Sequence, residues 1–373
     1  MKKKEVYAYY FPNWHVDPLN EKWHGKGWTE WEVTKCARAR FEGHHQPLIP
    51  EWGYLDEADP AVMEKKISTA KRYGVDGFIF DMYYYEEGPY RCRCIDEGFL
   101  KAKNCEDFKF AVMWCNHDPI YAHPSGRMNI SPSLMSSAVT SESFRKITDV
   151  FIEKYFGKKN YIRVDGKILF IIYNVAKMIK ELGGVENTVK EFNFLRERVR
   201  AAGLGEMELA TLPAIIEDIT KDKNEINKII TSVGIDLGVR YWWPVKYDDD
   251  RLTVDYNDFW KGGLEATEED TRIYDVPMVV HMMSGLDQSP RTIQSETYEN
   301  LNVYPWYAVV VNCTPENFYQ AFKEYYKFAN SDKSKSPFIT VIWNEWTEGN
   351  YLEPEKKYGY KFLKAIKKVT EGK

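Results

Sequence analysis

The segment FITVIWNEWTEG, residues 338–349, indicates both the fold of this chain and the place of its chemistry. Its first five residues are apolar or β-branched, which is typical of a strand buried on both faces. Strands of that kind occur in parallel sheets that are covered by helices. The apolar run ends in Trp-Asn-Glu-Trp, so Glu345 and Glu348 follow directly after it. The segment therefore predicts a parallel strand with two carboxylates at its carboxyl end.

Seven further runs of the same kind precede this segment. Together the eight predicted strands are residues 6–11, 77–84, 108–115, 168–174, 208–212, 236–243, 277–283 and 338–343. Helical patterns lie between most of them, at residues 60–73, 141–156, 185–201, 223–232 and 315–329, with a closing helix at 358–369. A short second crossover helix is expected near residues 95–102, and the sixth crossover is expected to be mostly loop.

Eight buried strands that alternate with helices predict an α/β fold, a single (β/α)8 TIM barrel. A doubly wound sheet is less consistent with the sequence, because no Gly-rich dinucleotide turn follows a strand. A loop of nearly fifty residues is expected after the first strand. No internal repeat and no Pro- or Ser-rich linker divides the 373 residues, so we expect one catalytic domain, residues 1–373.

The composition limits the partners of the chain. A net charge of −5, with no basic block beyond residues 2–4, argues against nucleic acid. No apolar run could span a bilayer and no apolar signal-peptide core is visible, so we expect no membrane association and a cytoplasmic location, or secretion if a leader has been removed. The six cysteines are expected to be reduced structural thiols. An aromatic content of 15% suits a sugar-binding cleft, although aromatic side chains also fill cores.

Active sites of (β/α)8 barrels lie at the carboxyl ends of the strands. The aromatic, amide, histidine and acidic side chains found there are suited to binding a sugar. The candidate substrate-binding residues are Tyr10, Glu30, Trp31, His45, Asp81, Tyr83, Trp114, Asn116, Tyr173, Tyr241, Trp242, His281, Asn344 and Trp346. We expect nine residues to border one cavity at one end of the barrel, namely Tyr10, Trp31, His45, Asp81, Asn116, Tyr173, Tyr241, His281 and Glu345.

Glu345 and Glu348 are the candidate catalytic pair. Cleavage of a glycosidic bond requires one ionised carboxylate, as base or nucleophile, and one protonated carboxyl group, as acid. If the chain turns helically after Asn344, the two side chains are neighbours, and like charges that close raise the pKa of one of them. Alternatively, both glutamates only stabilise the positive amino end of a short helical turn. Spacing alone does not decide between the two.

No metal and no cofactor is expected. His44 and His45 are adjacent on an extended loop and point in opposite directions, so a shared ion is not expected. The sequence DDDR, residues 248–251, is similar to the Asp-x-Asp sites of some glycosyltransferases, but without a phosphate-binding Gly-rich loop we interpret it as a solvated acidic turn. His281 is either a buried, hydrogen-bonded core residue or a member of the site.

Motifs distributed along the chain resemble the WbsX group, which is related to glycoside hydrolase family 99. They are YYFPNWH (9–15), GWTEWE (27–32), FEGHHQPLIPEWGY (41–54), AKRYGVDGFIF (70–80), YIRVDGKILFIIY (161–173), SPR (289–291) and WNEWTEGNYLEP (343–354). The resemblance covers residue 7 to about residue 363 and implies a (β/α)8 barrel. Its SPR motif adds Arg291 to the candidate binding residues.

The resemblance also implies a reaction. In family 99 the two glutamates of the last motif carry out retaining hydrolysis of α-mannosides inside glycan chains. The first deprotonates the sugar's own 2-hydroxyl, which gives a 1,2-anhydro sugar, and the second protonates the leaving oxygen. By this resemblance Glu345 is the base and Glu348 is the acid/base. The chain departs from the group at Asp81, an additional carboxylate without an assigned role, and after Asn116, so the substrate preference is not indicated.

Three functions stay open. The first is a retaining glycoside hydrolase that acts on mannose-like or other α-linked oligosaccharides or polysaccharides. The second is a glycosyltransferase of surface polysaccharide (O-antigen-type) biosynthesis, which the name of the WbsX group suggests. The third is a glycan-binding barrel without catalysis, in which Glu345 and Glu348 are structural. Nothing in the sequence indicates the linkage, the mode of cleavage or the oligomeric state.

Overall fold

The computed structural model describes residues 3–128, 130–243 and 249–372. Within these ranges eight parallel strands form the central sheet, and each lies where the sequence predicts one. Their bounds are β1 Val6–Tyr10, β2 Gly77–Tyr85, β3 Lys109–Trp114, β4 Lys167–Ile172, β5 Met207–Thr211, β6 Leu237–Gly238, β7 Val280–His281 and β8 Ile339–Ile342. The strands are almost entirely buried, as expected of a parallel sheet with covered faces.

The strands follow one another round the sheet in chain order, and β8 pairs in parallel with β1. In the described residues, β6 and the segment before β7 meet through one bridge, between Gly238 and Met278. Gly238 supports it with backbone hydrogen bonds of 2.9 and 2.8 Å to Pro277 and Val279. Glycine permits this approach, since a β-carbon at Gly238 would lie 2.1 Å from the Met278 sulfur. The predicted (β/α)8 barrel is confirmed.

Ten α-helices lie in the described ranges. They are α1 Pro18–His24, α2 Trp31–Cys36, α3 Pro60–Arg72, α4 Ser141–Phe151, α5 Val175–Glu181, α6 Val185–Ala201, α7 Lys223–Val233, α8 Tyr256–Ile273, α9 Pro315–Ala329 and α10 Lys361–Thr370. The six main predicted helices are all present, although π-helical geometry replaces the α-helix at Ile152–Phe156. The expected helix near residues 95–102 is a π-helical turn, Cys94–Gly98, followed by a 3-10 turn, Phe99–Lys101. The long connection after β1 contains α1 and α2 rather than loop alone.

The expectation that the sixth crossover is mostly loop is wrong, because α8 occupies 18 residues of it. Two adjacent glycines, Gly262 and Gly263, lower the helix propensity of this segment and conceal its pattern. Packing requires one of them, because a β-carbon at Gly263 would lie 2.4 Å from the Trp243 ring. The Asp255 side chain caps the helix by accepting a hydrogen bond from the Asn257 backbone N–H at 2.8 Å.

A short hairpin follows β8 and carries the two candidate glutamates. The Asn344–Glu345 strand pairs antiparallel with the Asn350–Tyr351 strand, and the 3-10 turn Trp346–Glu348 joins them. Gly349 ends the turn with a φ of 65°, a conformation that favours glycine. A β-carbon at Gly349 would lie 2.8 Å from the backbone nitrogen of Asp287. The hairpin therefore fits closely against the segment after β7.

The segment between β7 and α9, residues 282–314, has a small apolar cluster of its own. The cluster consists of the buried side chains of Tyr298, Trp306 and Val309, apart from the main core. The Val309–Val311 strand of this segment pairs in parallel with the Thr253–Asp255 strand, which precedes α8. In the described part of the chain, no helix is both long and apolar enough to cross a membrane.

Candidate active site

A cavity of about 830 Å³ lies at the carboxyl ends of the barrel strands. Its size is suited to several sugar units. The wall contains three carboxyl groups, two guanidinium groups and a majority of aromatic or apolar side chains. The charged members are Asp81, Glu345, Glu348, Arg91 and Arg291, and the main aromatic members are Tyr83, Tyr90, Tyr173, Tyr241, Trp242 and Tyr304.

Asn344 fixes the position of the hairpin that carries the two candidate glutamates, residues 344–351. Its side-chain amide accepts a hydrogen bond from the Phe11 N–H at 2.8 Å and donates one to the Phe11 carbonyl at 2.9 Å. The amide thus joins the end of β1 to the residue after β8 in the manner of a further pair of ladder hydrogen bonds. Glu345, the next residue, is 4% exposed and enters the cavity wall.

Arg291 lies between the two candidate glutamates. Its Nη2 is 3.2 Å from Glu345 Oε2, and its Nη1 donates to Glu348 Oε1. The same Nη2 is 2.9 Å from Glu30 Oε1, and Nε donates to Thr347 Oγ1 at 2.8 Å. One buried cation therefore contacts three carboxylates, and charge on any of the three remains paired.

Glu30 is completely buried behind Arg291. Burial opposes its ionisation, but the charge of Arg291 and the contact with His123 outweigh burial and hold the pKa of Glu30 well below its usual range. Asn13 and Thr347 also donate hydrogen bonds to this carboxylate. Glu30 is thus a permanently charged group that positions Arg291 from outside the cavity.

The Tyr241 hydroxyl joins two carboxyl groups. It lies 2.7 Å from Asp81 Oδ2 and 2.8 Å from Glu345 Oε1. A phenol donates one proton, so it donates to one carboxyl group and accepts from the other. Both hydrogen bonds can exist together only when Asp81 or Glu345 carries a proton.

The surroundings of both carboxyl groups favour such a proton. Burial raises the pKa of Glu345 well above its usual range, and the charge of Glu348 raises it further, while Arg291 only partly opposes the shift. Burial likewise raises the pKa of Asp81, with partial opposition from the Tyr241 hydrogen bond. Asp81 Oδ1 has no hydrogen-bond partner among the described residues, which suits a neutral carboxyl group.

Glu348 is the most accessible acidic group of the three, with 18% of its side chain exposed. Its Oε1 receives hydrogen bonds from Arg291 and from the Tyr304 hydroxyl, the latter at 3.1 Å. Its Oε2 receives one from Gln288 Nε2 at 3.0 Å. These three donors fix the orientation of the Glu348 carboxyl group in the cavity wall.

The structure brings eight of the predicted site residues together in this cavity. They are Asp81, Tyr83, Tyr173, Tyr241, Trp242, Arg291, Glu345 and Glu348. Of the nine residues expected to border one cavity, four do so. The other five lie elsewhere, so the prediction that these nine residues border one cavity is wrong: Tyr10, Trp31, His45, Asn116 and His281.

Tyr10 faces away from the barrel interior. Side chains alternate along a strand, and Tyr9 is the residue that faces inward, with its ring 5.0 Å from the Tyr241 ring. The Tyr10 hydroxyl instead donates to Glu57 at 2.7 Å and accepts from Lys66 at 2.9 Å, under α3. Because both faces of β1 are buried, the sequence does not distinguish the two tyrosines.

His281 and His45 occupy other environments. His281 is a buried core histidine that lies parallel to the Tyr241 ring at 6.5 Å, with Nδ1 3.1 Å from Thr340 Oγ1. Burial lowers the pKa of His281 to about 3, so it is neutral. His45 lines a separate pocket of about 170 Å³, 5.9 Å from the Tyr358 ring, and burial lowers its pKa to about 4. Long-loop geometry, which periodicity does not predict, decides where His45 lies.

Three tryptophan and amide candidates are structural neighbours of the cavity. Asn116 exchanges hydrogen bonds of 2.8 Å with the Asn174 backbone. Trp114 points outward, where its Nε1 donates to the Tyr84 carbonyl at 3.0 Å. Trp31 packs against the buried Trp14 ring in a tilted arrangement, with the ring centroids 4.2 Å apart. None of the three side chains belongs to the cavity lining.

The remaining candidates, Glu30, Asn344 and Trp346, are buried next to residues of the cavity wall but do not line the cavity. Trp346 is buried, donates from Nε1 to Glu353 at 3.0 Å and stacks on Tyr351 at 4.3 Å. Its burial follows from the turn after β8, which directs Glu345 and Glu348 inward and Trp346 outward. Substrate contact by these three residues would require a displacement of the hairpin.

Sequence reasoning missed several lining residues, of which Arg91, His123, Gln288 and Tyr304 carry the most polar groups. Arg91 and His123 lie on connections whose course is set by turns rather than by periodicity. The one signal for Arg91 is its place in the segment PYRCRC, residues 89–94, where a cation stands among apolar residues.

The described residues do not include a group of three or more His, Cys, Asp or Glu side chains that could hold a metal ion. His44 turns towards Asp287, with Nε2 2.8 Å from Oδ2, and both residues line the same small pocket as His45. Of the DDDR sequence, Asp248 lies outside the described residues. Asp249 forms an exposed ion pair with Arg251, as in a solvated turn.

The chain has relatives of known sequence and structure. Residues 6–366 match the protein family described as Glycosyltransferase WbsX. Two proteins named uncharacterized protein WxcX, from two strains of Xanthomonas campestris pv. campestris, are 23% identical over 97% of this chain. The chain spans about half the length of these relatives, since the match covers 49% of each.

Solved structures share the fold. The GH99 endo-alpha-mannosidase from Bacteroides thetaiotaomicron, in complex with Bis-Tris-propane, superposes with a TM-score of 0.57 at 14% identity and covers 99% of this chain and 96% of its own. A protein described as glycoside hydrolase-like superposes with a TM-score of 0.55 at 15% identity, covering 99% of this chain and 94% of its own. The fold is therefore that of the family 99 barrels, as the sequence motifs imply.

These findings agree with one another over nearly the whole chain. The family match, the motif order and the barrel all include the hairpin that carries Glu345 and Glu348. The family is one of glycan-processing enzymes. The chain belongs to the WbsX glycosyltransferase family.

Proposed function

We propose that this protein is a retaining glycoside hydrolase that cleaves α-linked, mannose-like glycans, with Glu345 as base and Glu348 as acid/base. One observation carries the proposal. Glu345 and Glu348 contact the two terminal nitrogens of one buried guanidinium group, Arg291, and both line the same glycan-sized cavity. The arrangement supplies two carboxyl groups that differ in environment, which is what acid and base roles require.

Glu345 acts as a base only when it is ionised. The Tyr241 hydroxyl offers a route for its proton, because it contacts both Glu345 and Asp81. When Glu345 gives its proton to the Tyr241 oxygen, Tyr241 can give its own to Asp81. The result is a Glu345 carboxylate that still accepts a hydrogen bond from Tyr241, and a neutral Asp81.

Glu348 acts as an acid only when it is protonated. The proton that Glu345 releases goes to Asp81, so Glu348 takes its own proton from solvent, to which 18% of its side chain is exposed, while Arg291 stays beside the charge on Glu345. A sugar that enters the cavity can replace the contacts of Glu348 with Gln288 and Tyr304 by a contact with its glycosidic oxygen.

The proposed reaction takes place in two steps. Glu345 takes the proton of the sugar 2-hydroxyl, the 2-oxygen bonds to the anomeric carbon, and the glycosidic bond breaks as Glu348 protonates the leaving oxygen. In the second step Glu348 takes a proton from water, which attacks the anomeric carbon, and Glu345 returns its proton to the 2-oxygen. Both glutamates end in their starting states, and the anomeric configuration is retained.

A glycosyltransferase of surface polysaccharide biosynthesis is the second candidate. The description of the family as Glycosyltransferase WbsX favours it. The name of the Bacteroides barrel, an endo-alpha-mannosidase, favours the hydrolase and an α-mannoside. In a transferase, Glu345 would deprotonate an acceptor hydroxyl and a sugar nucleotide would supply the donor sugar.

Glutamine variants test the assigned roles. Glu345→Gln and Glu348→Gln keep the side-chain volume, so each should fold normally and lose about a hundredfold or more in kcat/KM on an α-mannooligosaccharide. An aryl α-mannoside with a leaving group that needs no proton should partly restore Glu348→Gln but not Glu345→Gln. Glu51→Gln, which removes an exposed carboxylate outside the cavity, serves as the control. The measurements are steady-state rates and the anomeric configuration of the first product by NMR.

Equal rescue of both variants would contradict the separate roles. An inverted first product would contradict the retaining mechanism. Transfer from a sugar nucleotide, with no hydrolysis of any α-mannoside, would replace the hydrolase by the transferase. Unchanged glycan binding by both variants, with no turnover of either substrate class by the wild type, would support a binding barrel.

A further inference from the structure

Arg91 is the second cation of the cavity wall. It follows the Gly88–Tyr90 strand, which folds back on the end of β2, and its backbone has a φ of 58°. The backbone N–H donates to Asp17 Oδ2 at 2.9 Å, and the Cys94 thiol donates to its carbonyl. These contacts maintain an uncommon backbone conformation for a residue with a side chain. They fix the direction in which the side chain leaves the turn.

Aromatic rings cover the flat faces of the Arg91 guanidinium. Its central carbon lies 4.4 Å from the centroid of the Tyr90 ring, 4.9 Å from that of Tyr83 and 5.2 Å from that of Phe11. Cation–π contact stabilises the charge through the faces. It leaves the N–H edge of the guanidinium free to bind an acceptor.

The two cavity arginines differ in their partners. Arg291 contacts three carboxylates. Among the described residues, no carboxylate forms an ion pair with the Arg91 guanidinium, and its buried Nε has no hydrogen-bond partner. Glu30 and Asp81 act on Arg91 only as more distant charges. A residue that is only 8% exposed therefore contributes to the cavity wall a guanidinium group without an ion-pair partner.

Two neutral histidines line the cavity within reach of the Arg91 charge. Burial lowers the pKa of His117 and of His123, and the charge of Arg91 lowers both further. His123 Nδ1 is buried and has no hydrogen-bond partner in the described residues. A neutral imidazole has one N–H, which His117 donates from Nδ1 to the Asp118 carbonyl at 3.1 Å and His123 directs from Nε2 to Glu30 at 3.3 Å, so both rings enclose the corner without adding charge. We call this part of the wall, formed by Arg91, His117 and His123, the Arg91 corner.

We propose that the Arg91 corner binds a carboxylate of the substrate, so that the preferred glycan contains an acidic sugar. The proposal rests on the proposed function in taking the cavity as the glycan site. The planar guanidinium edge matches a carboxylate, which can accept two parallel hydrogen bonds. Burial of the corner strengthens this interaction relative to a surface ion pair.

The acidic sugar would occupy a position next to the cleaved sugar. Glu345, Glu348 and Arg291 hold the end of the cavity where the bond breaks, whereas Arg91 belongs to the connection after β2. Both arginines line one continuous cavity. A single oligosaccharide can therefore contact both of them.

Matched oligosaccharides test this inference. The probes are α-mannose-containing oligosaccharides with one uronic acid unit and the same compounds after reduction of the carboxyl group to a neutral alcohol. We expect wild-type protein to bind the acidic member at least about tenfold more tightly by calorimetry, and the preference to weaken as the salt concentration rises. Arg91→Gln should bring the ratio close to one, and Arg91→Lys should leave it at an intermediate value.

Arg93→Gln is the control, because Arg93 lies two residues further on, forms an ion pair with Glu97 and does not line the cavity. It should keep the wild-type ratio. Equal binding of both members by wild-type protein would overturn the inference, and this measurement does not depend on how well Arg91→Gln folds. An Arg91-dependent affinity for a sugar nucleotide alone would also overturn it. Hydrolysis of neutral glycans without acidic preference would leave the proposed function intact, whereas acidic preference without hydrolysis would contradict that function and leave the subsite standing.

Discussion

Asp81 is a buried residue that can hold a proton next to the Tyr241 hydroxyl. The carboxyl group is buried, one oxygen contacts Tyr241, and the other has no hydrogen-bond partner in the described residues. Its neutral form is therefore favoured, and Tyr241 connects it to Glu345. The sequence reveals this carboxylate but not its use, because the use depends on a tyrosine 160 positions away.

Asp81→Asn should increase stability near neutral pH while it lowers activity. Because the folded-state pKa of Asp81 is raised above that of the unfolded chain, ionisation costs folding free energy; the cost is complete above the folded-state pKa and absent below the unfolded one. A tenfold change in the ionisation constant corresponds to about 1.4 kcal/mol. We expect urea unfolding at pH 7.5 to show a more stable variant, and the difference to vanish towards pH 4. Loss of the proton acceptor should lower kcat and displace its pH profile.

Asp332→Asn is the matched control, since Asp332 lies in an exposed turn after α9. It should change neither the stability difference between the two pH values nor kcat. An Asp81→Asn protein that is less stable than the wild type at pH 7.5 would show that the carboxylate is stabilised in the folded state. The proton route through Tyr241 would then lose its support.

The hairpin of residues 344–351 determines where Glu345 and Glu348 lie in the cavity wall. Its register pairs Glu345 with Asn350, and its turn carries Glu348 back towards the same cavity. The strand before it could be predicted from apolar residues alone, whereas the hairpin could not, because its pairing depends on contacts with Phe11 and Asp287. The predicted helical turn is present only as the 3-10 turn Trp346–Glu348.

Gly349→Ala should lower activity without unfolding the barrel. A β-carbon there meets Asp287 backbone atoms at 2.8 Å, so the turn must shift and carry Glu348 with it. We expect a loss of about tenfold or more in kcat, with a modest loss of stability on the order of 1–3 kcal/mol from strain and overpacking. Kinetics and thermal unfolding measure the two effects separately.

Gly203→Ala is the control that separates backbone strain from the steric contact with Asp287. Gly203 has a φ of 73°, close to the 65° of Gly349, but a β-carbon there meets nothing within 4 Å. It should share the stability loss that comes from backbone strain and keep wild-type kcat. Full activity of Gly349→Ala would mean that Glu348 does not depend on the position of this turn.

The strand pairs of the barrel differ in the number of residues that they pair. β1, β2, β3 and β4 pair over several residues each, whereas β6 and β7 have two residues apiece and meet through the Gly238–Met278 bridge. Few ladder hydrogen bonds mean a low local cost of opening. We expect the contact between β6 and β7 to open more readily than the other strand pairs of the sheet. Tyr241 follows β6 in the chain by three residues.

Hydrogen exchange should report this weakness. We expect the backbone amides of Gly238 and Val279 to exchange faster than those of Phe80 and Val112, which lie in the long β2–β3 ladder. Mass spectrometry of peptic peptides from the native protein gives the comparison. Equal protection of the two regions would show that side-chain packing, rather than the number of ladder bonds, determines local stability here.

Much of the fold could be predicted from the sequence, because all eight strands lie in the predicted runs, although β6 and β7 occupy only two residues of theirs. The faces of those strands could not. Tyr9 and Tyr10 are chemically identical neighbours in a strand buried on both sides, so no periodicity distinguishes the one that faces inward. The same limit applies to α8, where Gly263 contacts the Trp243 ring and breaks an otherwise helical pattern.

Some residues of the candidate site could be predicted from the sequence, and others could not. Tyr241 and Glu345 follow strand ends and Asp81 begins the carboxyl-terminal half of β2, so their meeting could be predicted from barrel geometry. Arg91, His123 and Tyr304 belong to connections whose paths depend on turns and on packing between distant segments. Arg291 is an intermediate case, since the family motif marked it, but its contact with three carboxylates is visible only in three dimensions.

The link between Asn344 and Phe11 has a consequence for synthesis of the chain on the ribosome. Its partners are separated by 333 positions, and the contact between Arg291 and Glu30 by 261. During translation the early half of the site, with Glu30, emerges long before its partners exist. A nascent or stalled chain therefore cannot complete the cavity until residue 348 has left the ribosome and the last strand has joined the first.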